Sequence, residues 1–140
     1  LTACIPMLMG TGGNSGNQVS TLIIRGLALG EVKIKDYFRI LWKEIRVSFI
    51  AGVILAVANY GRMLAIRAAT GGDTTNSVIL VVSLSVAAVV MVSKTIGCTL
   101  PIVAKILKLD PALMAGPLIT TLVDAISLII YFGFAKALLI

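Results

Sequence analysis

A carboxylate interrupts one of the most apolar parts of the sequence. Asp124 is flanked by Leu122, Val123, Ala125 and Ile126. Its neighbours at helical spacing are polar or small: Gly116, Thr120, Ser127 and Tyr131 fall on the same stripe, while the other faces carry Leu, Ile, Val and Phe. If the helix starts near Ala112, Asp124 is about 12 residues, or roughly 18 Å, along it, close to the middle of a bilayer. An ionised carboxylate there costs about 2.5–3.5 kcal/mol on insertion scales. It must therefore face an aqueous cavity, a partner charge or an ion. Pro117 lacks an N–H, so the carbonyl around position 113 is expected to lose its donor and turn toward an ion. The alternative is a neutral Asp124 hydrogen-bonded inside a helix bundle.

A second polar group lies near the start of the chain. The stretch Gly10-Thr-Gly-Gly-Asn-Ser-Gly-Asn-Gln18 sits near the centre of the apolar segment 1–29. A polar break is tolerated at membrane depth only where it lines a cavity or packs on protein. Gly10, Gly13, Asn17 and Thr21 fall near one helical face, and Asn and Thr oxygens suit a hydrated hard cation. Gly12 and Gly16 form a GxxxG pair, so helix packing is the competing reading, and the two can coexist. No Gly-Lys-Ser/Thr follows, which argues against a phosphate loop. Lys94 could pair with Asp124, although a stem lying along the bundle with a snorkelling ammonium explains it as well. Arg25 reads as an interface anchor. With no His and two Cys, Cys4 and Cys98, histidine acid–base chemistry, a Ser-His-Asp triad and a Cys/His zinc site are excluded within the chain. Nothing suggests an enzyme.

These groups need elements to hold them. The chain has 140 residues, 59% apolar and 13% charged, with mean hydropathy +1.06. A soluble domain carries about 25% charged residues. The reading is an all-α, polytopic transmembrane helix bundle forming one pore domain over residues 1–140. Its four spans are expected at about 1–29, 47–69, 78–104 and 112–140, the first broken by the Gly/Asn-rich stretch. The net charge of +6 is read as a topology signal and not as nucleic-acid binding.

The connections differ in composition. Residues 31–46 combine charges with Ile34, Phe38, Leu41, Trp42 and Ile45 at helical spacing, a pattern for an amphipathic surface helix leading into the second span. Gly71-Gly72-Asp73 marks a turn, with Thr74 to Asn76 as capping residues. Asp110-Pro111 reads as an N-cap and first helical residue, starting the fourth helix there. The first and third connections hold seven lysines and arginines, against Arg62 and Arg67 around the second. That asymmetry puts connections 30–46 and 105–111 in the cytoplasm and both termini outside the cell membrane.

Two long motifs contain these residues: Pro6-Met-Leu-Met-Gly-Thr-Gly-Gly-Asn-Ser-Gly-Asn-Gln18 and Asp110-Pro-Ala-Leu-Met-Ala-Gly-Pro-Leu-Ile-Thr-Thr-Leu-Val-Asp124. They resemble the signatures of the MgtE magnesium channels and transporters. The resemblance implies a homodimer with the ion path on its two-fold axis, lined by the first and fourth helices of this chain. It implies a Mg²⁺ site at Asp124 and Thr120, with the Thr120 carbonyl and the glycine-rich stretch contacting the hydrated ion. Gly10, Gly13, Asn14, Asn17, Thr21, Gly116 and Thr121 are the implied pore-lining positions. It also implies an additional span and cytoplasmic regulatory domains, an acidic N-terminal one and a CBS pair, outside the present residues. Gly116 departs from the family pattern, since some relatives carry a polar side chain there.

The expected function is magnesium transport through a dimeric channel-like pore, with Mn²⁺, Co²⁺ and Ca²⁺ as competing ions. Mg²⁺ dehydrates reluctantly and is usually held by one or two carboxylates plus retained waters. One Asp124 per chain, doubled by symmetry, supplies such a pair. A proton-coupled secondary transporter and a non-transporting structural bundle are the alternatives.

Overall fold

A computed structural model describes residues 2–72 and 74–139. It contains four long helices: α1 (Ile5–Ala28), α2 (Tyr37–Thr70), α3 (Asn76–Ile106) and α4 (Pro117–Leu139). Short 3-10 turns precede three of them, at Thr2–Cys4, Ile34–Asp36 and Pro111–Met114. No strand occurs among the described residues. The all-α reading therefore holds. Leu1, Asp73 and Ile140, which fell within the expected end spans and the second turn, lie outside the described residues.

Three helical stretches are long and apolar enough to cross a membrane: Ile34–Thr70, Asn76–Ile106 and Pro111–Leu139. Helix α1 has 24 residues, and at 1.5 Å per residue about 36 Å of length. It falls short of these three in apolarity because of its Gly, Asn, Ser and Gln residues. Helix α3 is central and packs against α1, α2 and α4. One core joins Leu8, Val81, Val82, Val86, Val89, Tyr131 and Ala135; a second joins Val19, Ile23, Leu27, Cys98 and Ile102. Cys4 is half-buried and Cys98 buried, both unpaired thiols among apolar neighbours.

The expected break in the first span is absent: α1 runs unbroken through Gly10–Gln18. Tertiary packing outweighs the low helix propensity of its glycines. A Cβ on Gly12 would lie 2.7 Å from side-chain atoms of both Val123 and Val89. Gly97 of α3 lies so close to the Gly16 backbone that a Cβ there would collide with the Gly16 carbonyl. The small residues thus let α1 and α3 meet backbone to backbone, the usual device where lipid supplies no hydrophobic drive for association.

Three boundaries also differ. Residues 37–46 do not form a separate surface helix; they are the first turns of a continuous α2 of 34 residues, about 51 Å long. Nothing between Glu44 and Ser48 breaks helical geometry, so the charged segment and the apolar span fuse. Asp110 does cap, with its Oδ1 accepting from Ala112 N at 2.9 Å. It caps only the 3-10 turn, and α4 begins at Pro117 instead of 112. At the second turn, Thr75 precedes α3 without a side-chain cap bond. The Asn76 Oδ1 instead accepts from Arg67 Nη1 at 2.6 Å, pinning α2 to α3.

Candidate functional site

Helices α1 and α4 run antiparallel. Gly12 faces Val123 and Ser127, Gly13 faces Thr120, and Gly16 faces Ile119, so the register ascends on one helix as it descends on the other. The first turn of α4 is fixed from outside. Gly116 has φ +64°, a left-handed conformation that favours glycine, and it turns the chain from the 3-10 segment into α4. Its carbonyl accepts the first helical bond, from Thr120 N at 3.0 Å. Its own N–H needs an acceptor. In a capping box that acceptor is a polar side chain three residues on, but here the residue is Ile119. Asn17 of α1 supplies it: Gly116 N donates to Asn17 Oδ1 at 3.0 Å. Asn17 Nδ2 donates to Thr120 Oγ1 at 3.0 Å, and Thr120 Oγ1 donates to Gly116 O at 3.1 Å. A three-residue lattice thus ties α1 to the start of α4.

This changes the role expected of Pro117. It is the first residue of α4 and not an interior one, so it removes no helical hydrogen bond and frees no carbonyl near 113. Asp124 is seven residues further on, about 10 Å from the start of the helix. The depth expected from a start at 112 is therefore too large relative to the helix end.

Asp124 is half-buried, and its Oδ1 is a buried oxygen with no hydrogen-bond partner. Among the described residues, Ser20 Oγ alone shares that condition. Lys94 is buried on α3 but makes no bond to Asp124 Oδ1, so the Lys94–Asp124 pair is not formed there. No group of three or more His, Cys, Asp and Glu residues that could hold a metal exists among the described residues. What Asp124 offers within one chain is a single carboxylate.

The remaining candidates divide. Gly13, Asn17, Gly116 and Thr120 come together at the α1–α4 contact. Gly10, Asn14 and Thr21 lie exposed on α1 with Gln18, spaced three and four apart, so α1 carries an open polar stripe opposite its packed glycines. Thr21 Oγ1 donates back to Asn17 O at 2.8 Å. Thr121 points away from the contact, exposed, with its hydroxyl on Pro117 O at 2.8 Å. Ser127 and Tyr131, on the same stripe by spacing, are buried in packing; Ser127 Oγ bonds Val123 O at 2.6 Å and borders Gly12.

Sequence reasoning missed the Gly16–Gly97 contact and a polar cluster on α2. In that cluster Asn59, buried, donates to Ser83 Oγ at 3.2 Å and accepts from Arg62 Nη2 at 2.8 Å. An Asn three residues before an Arg inside an apolar run was the available signal.

A family model described as a divalent cation transporter, MgtE, matches residues 5–134. A magnesium transporter MgtE of Thermus thermophilus is 36% identical over 135 residues, 96% of this chain and 28% of its own length. One of Bacillus subtilis is 37% identical over 134 residues, 95% of this chain and 28% of its length. One of Enterococcus faecalis is 28% identical over 137 residues, 97% of this chain and 29% of its length. The chain thus spans under a third of the length of the curated relatives it matches.

Proposed function

The chain belongs to the MgtE family of divalent cation transporters, and from that premise we propose that it is the pore-forming part of a magnesium transporter, with Asp124 as the central ligand for a hydrated Mg²⁺. The observation that carries this reading is the orphaned Asp124 Oδ1. A carboxylate whose buried oxygen finds no donor in its own chain is costly to keep ionised, and a hydrated dication meeting the exposed remainder of this half-buried group offsets its charge. The family is one of transporters, so the process is passage of an ion with no covalent step.

In this proposal two copies meet on a two-fold axis. The exposed polar stripe of α1, with Gly10, Asn14 and Thr21, faces that axis and not lipid, which fits the absence of α1 from the stretches apolar enough to span by themselves. Helix α1 then counts as a fourth span. Antiparallel register sets Asp124 one turn beyond Thr120 and Gly10 nearly one turn before Gly13, so these line the same level. Two Asp124 carboxylates bind the ion through or beside its waters, and backbone and amide oxygens around Thr120 and Asn14 hold the shell. Mg²⁺ suits such a sparse site; Ca²⁺ takes more direct oxygen ligands. Mn²⁺ and Co²⁺ are the closer competitors.

The seven basic residues of connections 30–46 and 105–111 support an orientation with those connections in the cytoplasm and the C-terminus outside. In a protein as long as the relatives it matches, further cytoplasmic domains would act on the pore from that side. The test is Mg²⁺ flux into proteoliposomes. Saturable Mg²⁺ entry that needs no pH gradient and is lost in Asp124→Ala supports the proposal. Wild-type entry in that variant removes the site.

A further inference from the structure

Arg62 is a cation within the apolar length of α2. It lies eight residues before Thr70, the last residue of the helix, roughly 12 Å from that end. Ile66, one turn on along the same face, is exposed, as are Val57 and Leu64 on other sides of α2, so the outer surface of this part of α2 meets hydrocarbon. Arginine is expensive at such depth unless a partner or the interface receives its charge. The partners of Arg62 are neutral. Its Nη2 donates to Asn59 Oδ1 at 2.8 Å and lies 3.1 Å from Met7 Sδ of α1. Asn59 is itself fixed, because its Nδ2 donates to Ser83 Oγ of α3 at 3.2 Å. The guanidinium is thereby held in place by three helices with its charge unopposed and most of its five N–H groups still to be used.

It borders a cavity of about 180 Å³ between α1, α2 and α3, lined besides Arg62 and Asn59 by Met7, Thr11, Leu55, Ala58 and Val86. The lining is graded. Arg62 lies toward the helix end, whereas Ala58 and Leu55 lie one and two turns deeper along the span. A cation above and an apolar wall below is the polarity order of a phospholipid standing in its leaflet. We propose that this cleft binds one anionic phospholipid from the leaflet at the C-terminal end of α2. The phosphate sits on the Arg62 guanidinium, which presents paired N–H donors to two phosphate oxygens. The first part of one acyl chain lies against Ala58, Leu55 and Val86. The net negative charge of the lipid neutralises Arg62, which a zwitterionic headgroup does only in part. The lipid would also clasp α2 to α1, the helix that carries the polar stripe. The proposal needs the helices to span a membrane but does not depend on the ion site at Asp124.

The test is native mass spectrometry of the full-length protein released from nanodiscs with equal phosphatidylglycerol and phosphatidylcholine. Wild type is expected to retain one phosphatidylglycerol per chain in preference to phosphatidylcholine. Arg62→Gln should lower that retention about tenfold, the factor for loss of one charge-assisted contact, and Arg62→Lys should restore part of it. Leu55→Trp, which fills the apolar wall and leaves the cation, should displace the lipid as well. Helix content by circular dichroism checks that the variants are folded. The proposal is overturned if Arg62→Gln retains phosphatidylglycerol as wild type does, or if wild type shows no preference. It is equally overturned if the preference disappears in Lys35→Gln/Lys43→Gln and survives in Arg62→Gln, which would assign it to the basic residues at the start of α2 and in the 3-10 turn before it.

Discussion

Replacing Asn17 by Ala tests how the fourth helix is held. The substitution removes the acceptor of Gly116 N–H and the donor to Thr120 Oγ1, both at 3.0 Å. The Thr120 hydroxyl keeps its bond to Gly116 O, so loss of the Asn17–Thr120 bond alone costs about 0.5–1.5 kcal/mol net. The Gly116 N–H is the heavier loss. It is part-buried, no side chain of its own helix can reach it, and an unsatisfied donor costs about 1–3 kcal/mol. Asn17→Ala should therefore destabilise the bundle by about 2–4 kcal/mol, less whatever a water entering the gap recovers. Asn17→Asp keeps an acceptor for Gly116 N–H and should cost less. The assay is reversible unfolding in mixed micelles, with a double-mutant cycle against Thr120→Val. The two residues share a bond, so a coupling of about 0.5–1.5 kcal/mol is expected. A stability change within about 0.5 kcal/mol, the range of an ordinary surface substitution, together with zero coupling, would refute the lattice as a structural tie.

Other substitutions probe the same contacts. Gly97→Ala drives a methyl into the Gly16 backbone and should cost at least the roughly 1–3 kcal/mol of core overpacking, read as lost stability and impaired Mg²⁺ flux. Gly116→Ala meets no atom within 4 Å, so its cost, about 1 kcal/mol, should come from the left-handed backbone alone; calorimetry should show that modest loss with the helix content intact. Thr121→Val removes an exposed hydroxyl one turn before Asp124 and should lower Mg²⁺ flux measured in proteoliposomes; flux at the wild-type rate would take Thr121 off the ion path.

Much of the fold is readable from periodicity and composition. The apolar runs that become α2, α3 and α4 are long enough to dominate any local preference, and the turn around Gly71 and Gly72 separates α2 from α3. What misled was local chemistry judged without its partners. The glycines of Gly10–Gln18 look like a break because glycine weakens an isolated helix; in the fold Gly12 and Gly16 are where neighbouring helices enter. Asp110-Pro111 is a sound capping signal that acts on one 3-10 turn only, since Gly116 and Pro117 form a second, stronger start six residues later. At the candidate site, stripe arithmetic grouped Asp124 with Ser127 and Tyr131, but a stripe wide enough to include them also includes the packed side of the helix. Asn17 was legible as a polar residue on the face of the first helix expected to line the ion path. Its bond to a backbone N–H 99 positions away was not, because long-range pairing leaves no trace in local spacing.

In the proposed pore the Asp124 carboxylate binds Mg²⁺ as it passes. This is measured as Mg²⁺ entry into proteoliposomes containing the protein, wild type against Asp124→Asn, which keeps the shape of the side chain and removes its charge. A loss of one carboxylate–dication contact worth more than about 1.4 kcal/mol predicts a fall of at least tenfold, with the fold retained. Entry at the wild-type rate in Asp124→Asn would contradict the claim, whatever the rest of the bundle does.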